Sequence, residues 1–194
     1  MRSTDTRPRL ATLAAASLLA LAACSNKADT TGKQASSTSS QSSGKTLAQA
    51  IASTDDLSTV SGALRDTGLA EVFDKGGSYT MLAPDDAAFA KLGEAGKSLS
   101  QPDNRAEMAA VLRDHIVPGY LTPDDIKSAI DAQHGSAKVT TMGDHELTFT
   151  RAGDDLQVTS DDGSRARIAS DAVEAGNGVA IPIDGVLKKL TPSG

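Results

Sequence analysis

The sequence predicts an α+β domain with helices mostly first and a sheet mostly last, and three observations carry that prediction. Apolar residues recur at helical spacing between Thr46 and Ile130. After Gly135 the recurrence changes to period two. The alternating runs are separated by Gly143-Asp144 and Asp162-Gly163, pairs of the kind that close hairpins.

Taken in order, Thr46 caps a first helix carrying Leu47 and Ile51, and Leu57, Val60 and Leu64 continue at helical spacing until Gly68 supplies a stop. Ser78 to Ala83 reads as a short strand. Pro84-Asp85-Asp86 opens the next helix, with Phe89 and Leu92 on one face; the Asp85 carboxylate suits the N-cap because it accepts from free backbone amides and opposes the positive end of the helix dipole. Pro102-Asp103-Asn104 starts a helix in which Met108, Val111, Leu112 and His115 share a face, so His115 ends a buried stripe. Thr122-Pro123-Asp124-Asp125 combines an N-cap Thr, a Pro at N1 and an acid at N3, as in a capping box, ahead of Ile126 and Ile130. Val139, then Leu147 and Phe149, then Leu156 and Val158, then Ala166 and Ile168 alternate as in an antiparallel meander with one wet face.

Ahead of this domain, Arg2, Arg7 and Arg9 precede a Leu/Ala-rich run from Leu10 to Ala23, the pattern of a secretory signal. The run ends in Leu21-Ala22-Ala23-Cys24, which resembles the bacterial lipobox. That resemblance implies a lipoprotein signal peptide over residues 1–23, cleavage before Cys24 and lipid attachment at the Cys24 thiol. Ser25 stands where an Asp is the usual inner-membrane retention signal, so the resemblance implies the outer membrane if the host is Gram-negative. Residues 24–44 hold no aliphatic side chain larger than Ala and read as a Ser/Thr-rich disordered tether, with a reach of about 25 Å by random-coil scaling. Residues 45–194 make one domain.

The composition excludes several classes. One Cys and no Trp among 194 residues rule out a disulfide scaffold and a zinc ribbon. No apolar run reaches the roughly 18 residues of a membrane span, and no basic stretch with interleaved aromatics offers a nucleic-acid surface. Residues 45–194 carry 14 basic against 23 acidic side chains, a net −9 that opposes polyanions and favours solubility.

Three segments carry a family resemblance: Gly77 to Phe89 (GSYTMLAPDDAAF), His115 to Thr122 (HIVPGYLT) and Asn177 to Leu187 (NGVAIPIDGVL). In order and spacing they resemble the fasciclin domain, over roughly Lys45 to Leu190. The resemblance implies a fasciclin-like antiparallel β-wedge with several packed helices. It also singles out Thr80, Ala83, Pro84, Asp85, Phe89, His115, Pro118, Gly119, Tyr120, Asn177, Gly178 and Asp184 as structural or candidate contact residues. Asp85 replaces the family's Thr, Asp114 stands where the Tyr of a Tyr-His pair would be, and Ile181 replaces a His. Pro182 removes a backbone donor from the closing strand, which points to a sheet edge or a local break.

Chemistry is sparse by comparison. His115, His134 and His145 show no metal-ligand spacing; His115 reads as a buried imidazole bonded to backbone, the other two as exposed loop residues. There is no G-x-S-x-G, and the acidic pairs precede helices or occupy turns, where capping explains them. Tyr120, beside Gly119, is the aromatic placed nearest the surface. The expectation is a non-enzymatic, cofactor-free and metal-free module, held at the membrane by its N-terminal lipid, that mediates adhesion or protein contact at the bacterial surface. The alternative is a non-adhesive envelope structural or stress-related binding module. Either partner is an unidentified protein or envelope component, and nucleic acid is not expected.

Overall fold

The computed structural model describes residues 44–153 and 155–190. The expected signal peptide, Cys24 and the tether lie outside the described residues. The described residues form seven α-helices and eight strands in two sheets.

Helix α1 (Leu47–Ala52) starts from a complete capping box: Thr46 Oγ1 accepts from the Gln49 amide and the Gln49 side chain accepts from the Thr46 amide. A 3-10 turn (Asp55–Leu57) leads into α2 (Ser58–Asp66), and α3 (Ala70–Asp74) follows Gly68. After β1 (Tyr79–Pro84) come α4 (Asp86–Lys91), α5 (Glu94–Leu99) and α6 (Arg105–Arg113). Asp85 is the N-cap of α4, accepting from the Ala88 amide at 2.6 Å. β2 (Ile116–Pro118) precedes α7 (Pro123–Ala132), whose capping box is the expected Thr122 and Asp125 pair.

β3 (Ser136–Thr140), β4 (Glu146–Ala152), β5 (Asp155–Ser160) and β6 (Arg165–Arg167) form the expected antiparallel meander, in order along the second sheet. β7 (Val173–Ala175) and β8 (Gly178–Ile183) return to the first sheet, ordered β2-β1-β8-β7. One pairing there departs from an all-antiparallel pattern, because β1 and β8 run parallel with Tyr79 opposite Gly178 and Pro84 opposite Ile183.

The first sheet is buried on both faces. Met81, Ala83, Ile116 and Ala180 join Leu47, Leu57, Phe73 and Leu112 of the helical core. Leu82, Val117, Val179, Ile181 and Ile183 join Ile126, Ile130, Leu147 and Phe149 in a second core against α7 and the meander. This explains why β8 is buried along its whole length and reads as a nearly continuous apolar run.

Pro182 falls at a local break in the pairing of β8, one of the two outcomes the sequence points to. It lies in an interior strand, not at an edge, but β7 ends its pairing at Ala180. A strand residue's N–H and C=O point the same way. The Pro182 carbonyl accepts from the Ala169 amide at 2.9 Å, on the side where β7 has already stopped, so the missing donor interrupts no ladder.

Candidate functional site

The three sequence segments that resemble the family converge, because they supply the adjacent strands β2, β1 and β8 and their connections. Thr80, almost wholly buried, donates from Oγ1 to the Gly119 carbonyl at 2.9 Å and accepts from the Leu121 amide at 2.8 Å. It thereby fastens the turn that follows β2. Gly119 makes that turn with φ 114°, a conformation that L side chains rarely adopt. Ala83 is fully buried and Pro84 closes β1.

Asn177 ties three elements at once. Its Oδ1 accepts from the Leu47 amide at 2.7 Å, its Nδ2 donates to the Phe73 carbonyl, and its own carbonyl accepts from the Tyr79 amide at 3.2 Å. The first turn of α1 and the end of α3 therefore share one amide side chain, and the backbone of the same residue holds the start of β1. Asn177→Ala is expected to cost about 2 kcal/mol, because the Leu47 donor and the Phe73 acceptor lose their partner together. A urea midpoint unchanged from wild type would refute this.

His115 is fully buried just beyond α6. Its Nδ1 lies 2.7 Å from the Val111 carbonyl and its Nε2 accepts from the Leu187 amide at 2.9 Å. Nδ1 therefore carries the proton, and the neutral ring is held from both sides. Burial lowers its pKa to about 4, against the opposing influence of the Val111 bond, Asp114 and Asp162.

Beside it stands a charged cluster the sequence did not reveal. Asp114 is buried, and its Oδ2 pairs with Lys188 Nζ at 2.9 Å. Lys188 Nζ also lies 3.1 Å from His145 Nε2, while His145 Nδ1 is 3.0 Å from Asp161. His145 is thus half-buried and engaged, where an exposed side chain was expected. Gly143 permits the approach: a Cβ there would sit 1.9 Å from Asp114 Oδ1. The available signal was Asp114 itself, since an acid next to a buried helical stripe requires a cation. Leu187, Lys188 and Lys189 form a strap held successively by His115, Asp114 and Asp162, the last accepting from the Lys189 amide at 2.7 Å. Partial burial works to raise the Asp162 pKa, but the Lys189 and Ser164 bonds outweigh it and the net shift is downward.

Few of the singled-out residues reach solvent. Pro118 is exposed, and Tyr120, 38% exposed, is the large apolar side chain most open to solvent among the described residues. Its hydroxyl donates to Glu174 Oε2 at 3.2 Å. Phe89 is buried, and Asp184 accepts from the Arg167 amide at 2.7 Å while its carbonyl accepts from Lys91 Nζ at 2.8 Å. A cleft of about 420 Å³ between α2 and the α5–α6 connection is lined by Ala63, Leu99 and Met108, with Asp66 and Arg105 exposed beside them. No histidine and no singled-out residue lines it. Among the described residues no group of three His, Cys, Asp or Glu side chains is placed to hold a metal ion.

Among the described residues this arrangement is an interlocked set of strands, and comparison with known proteins agrees with that fold. The fasciclin domain model matches residues 55–189. The chain belongs to the fasciclin-domain family. Protein sll1483 of Synechocystis sp. is 31% identical over 147 residues, covering 75% of this chain and 74% of that protein. The cell surface glycolipoprotein MPB83 of Mycobacterium bovis is 29% identical, covering 95% of this chain and 84% of its own length. The same figures hold for the cell surface glycolipoprotein MPT83 of Mycobacterium tuberculosis. Among solved structures, a FAS1 domain pair from the insect cell adhesion molecule fasciclin I superposes with TM-score 0.57 at 24% identity. It covers 68% of this chain, which spans 45% of that pair, and the likeness shows the fold.

Proposed function

We propose that this chain is an extracytoplasmic lipoprotein whose fasciclin domain works by contact, in adhesion or protein association at the bacterial surface, without turning over a substrate. The observation that carries the reading is the extent of similarity to the mycobacterial cell surface glycolipoproteins. It covers 95% of this chain, more than residues 45–194 could supply, and so reaches into the segment bearing the lipobox-like Leu21-Ala22-Ala23-Cys24. The stripped-down chemistry of the domain supports the same reading, because its one buried histidine is bonded to backbone on both sides. A lipid on Cys24 adds about 0.8 kcal/mol of membrane affinity per buried methylene, and two or more chains make the anchor stable.

The test compares wild type, Cys24→Ala and a deletion of residues 45–194 in the native host. Wild-type protein is expected in the membrane fraction with incorporated palmitate, and Cys24→Ala in the soluble fraction without label. Cell attachment or aggregation should fall in both variants. Unlabelled wild-type protein in the cytosol, or attachment unchanged in both variants, overturns the proposal.

A further inference from the structure

The meander has two unlike faces. Leu147, Phe149, Leu156 and Val158 point into the second core, where α7 and the first sheet pack. The alternate residues point the other way. Read across the register, they make two rungs: Ser136, Thr150, Gln157 and Arg167, then Lys138, Thr148, Thr159 and Arg165. Strand spacing sets neighbours along a rung about 4.8 Å apart, and the rungs lie about 7 Å apart.

Many hydroxyl side chains elsewhere in the domain are consumed internally, as when Thr67 donates to Ala63 and Ser128 to Asp124, although among the described residues those of Ser78 and Ser170 are not. The threonines and glutamine of the two rungs make no side-chain hydrogen bond among the described residues, and neither Arg165 nor Arg167 has an ion-pair partner there. Of the acids near this face, Glu146 is taken up by Lys138 at 2.7 Å, Asp161 lies 3.0 Å from His145, the Asp184 carboxylate accepts from the Arg167 backbone amide at 2.7 Å, and Asp155 lies on β5 two residues before Gln157. The cationic excess is therefore at the β6 edge.

The chemistry of the face selects a ligand class. A protein partner needs apolar or aromatic anchors at the centre of its contact, and these rungs hold none. A neutral sugar needs an aromatic plate to stack on, which is also missing. Hydroxyls and an amide serve ring hydroxyls, and two guanidinium forks serve carboxylates. We infer that this face docks a carboxylate-bearing polysaccharide, a polymer of uronic acid type, with Arg165 and Arg167 engaging carboxylates and the Thr/Gln rungs engaging ring hydroxyls. The net −9 of residues 45–194 does not forbid it, because acids more than about 10 Å away are screened at physiological ionic strength while the arginines act at contact. Many copies on one cell add avidity to a weak single contact. This assignment rests on the contact-module reading and names its partner.

The experiment measures retention of the full-length chain, in detergent at physiological salt, on beads bearing polygalacturonate, dextran or polyglutamate. Retention is expected on polygalacturonate alone. The double variant R165Q/R167Q should lower it about tenfold or more with an unchanged unfolding midpoint, each charged hydrogen bond being worth a factor of that size. T148V/T159V, which keeps strand propensity and deletes two hydroxyls, should lower it severalfold and carries the test if the arginine variant loses its fold. Equal retention on dextran, equal retention on polyglutamate (which would mean an acidic protein partner), or variants that bind like wild type would each overturn the proposal. Cell attachment that survives R165Q/R167Q but not removal of residues 45–194 would sink this partner and leave the contact reading standing.

Discussion

Gly178→Ala is expected to destabilise the domain by about 3 kcal/mol or more, enough to unfold a large fraction of a marginally stable chain. A Cβ at position 178 would lie 2.4 Å from the Tyr79 carbonyl oxygen and 2.8 Å from Leu47 Cδ2. Neither neighbour has room to yield. Tyr79 is paired with both β2 and β8, and Leu47 is fully buried with its amide bonded to Asn177. The clash therefore falls on the parallel β1–β8 pairing that holds the two cores together. Gly62→Ala supplies the control, because a Cβ there meets nothing within 4 Å inside α2. That variant is expected to gain about 0.5–1 kcal/mol from helix propensity and reduced unfolded-state entropy. Paired urea melts read both, and a Gly178→Ala midpoint equal to that of wild type would refute the close-approach argument.

The contrast between these two glycines shows where the sequence is informative. Capping residues were legible because their geometry is local: Thr46, Asp85 and Thr122 each act within three residues, and all three cap as read. The meander was legible because alternation reports one buried face. Helices α3 and α5 were not, since five and six residues hold too few periods to stand out. The parallel pairing of β1 with β8 joins residues about a hundred positions apart, and nothing local announces it. The same limit hid the Asp114, Lys188, His145 and Asp161 cluster, which draws on α6, the strap and two turns. Most of the candidate residues lie on β1, β2 and β8 or at their ends. The pattern of exposure was beyond the resemblance, and most of them turn out to fasten the sheet while Pro118 and Tyr120 face solvent.

Acidification should weaken the domain through His115, and the direction follows from proton counting. The ordinary histidine value is 6.5, and burial lowers that of His115 to about 4. Between these values the unfolded chain binds a proton that the folded chain refuses. Stability is therefore fully present above 6.5 and is lost as pH falls toward about 4, by an amount on the order of 3 kcal/mol. Protonation is refused for a structural reason: Nε2 already accepts from the Leu187 amide, and a proton there would set two donors against each other with no water to separate them. The first part to loosen should be the strap of Leu187 to Lys189, since His115 is one of its three fastenings. His115→Gln tests the assignment, because a carboxamide can donate and accept but does not titrate. At neutral pH this variant is expected to lose about 1–3 kcal/mol from imperfect geometry. Across pH 6.5 to 4 its stability should fall less steeply than that of wild type. Denaturant melts at closely spaced pH values measure both slopes, and equal slopes would mean that some group other than His115 governs the acid response.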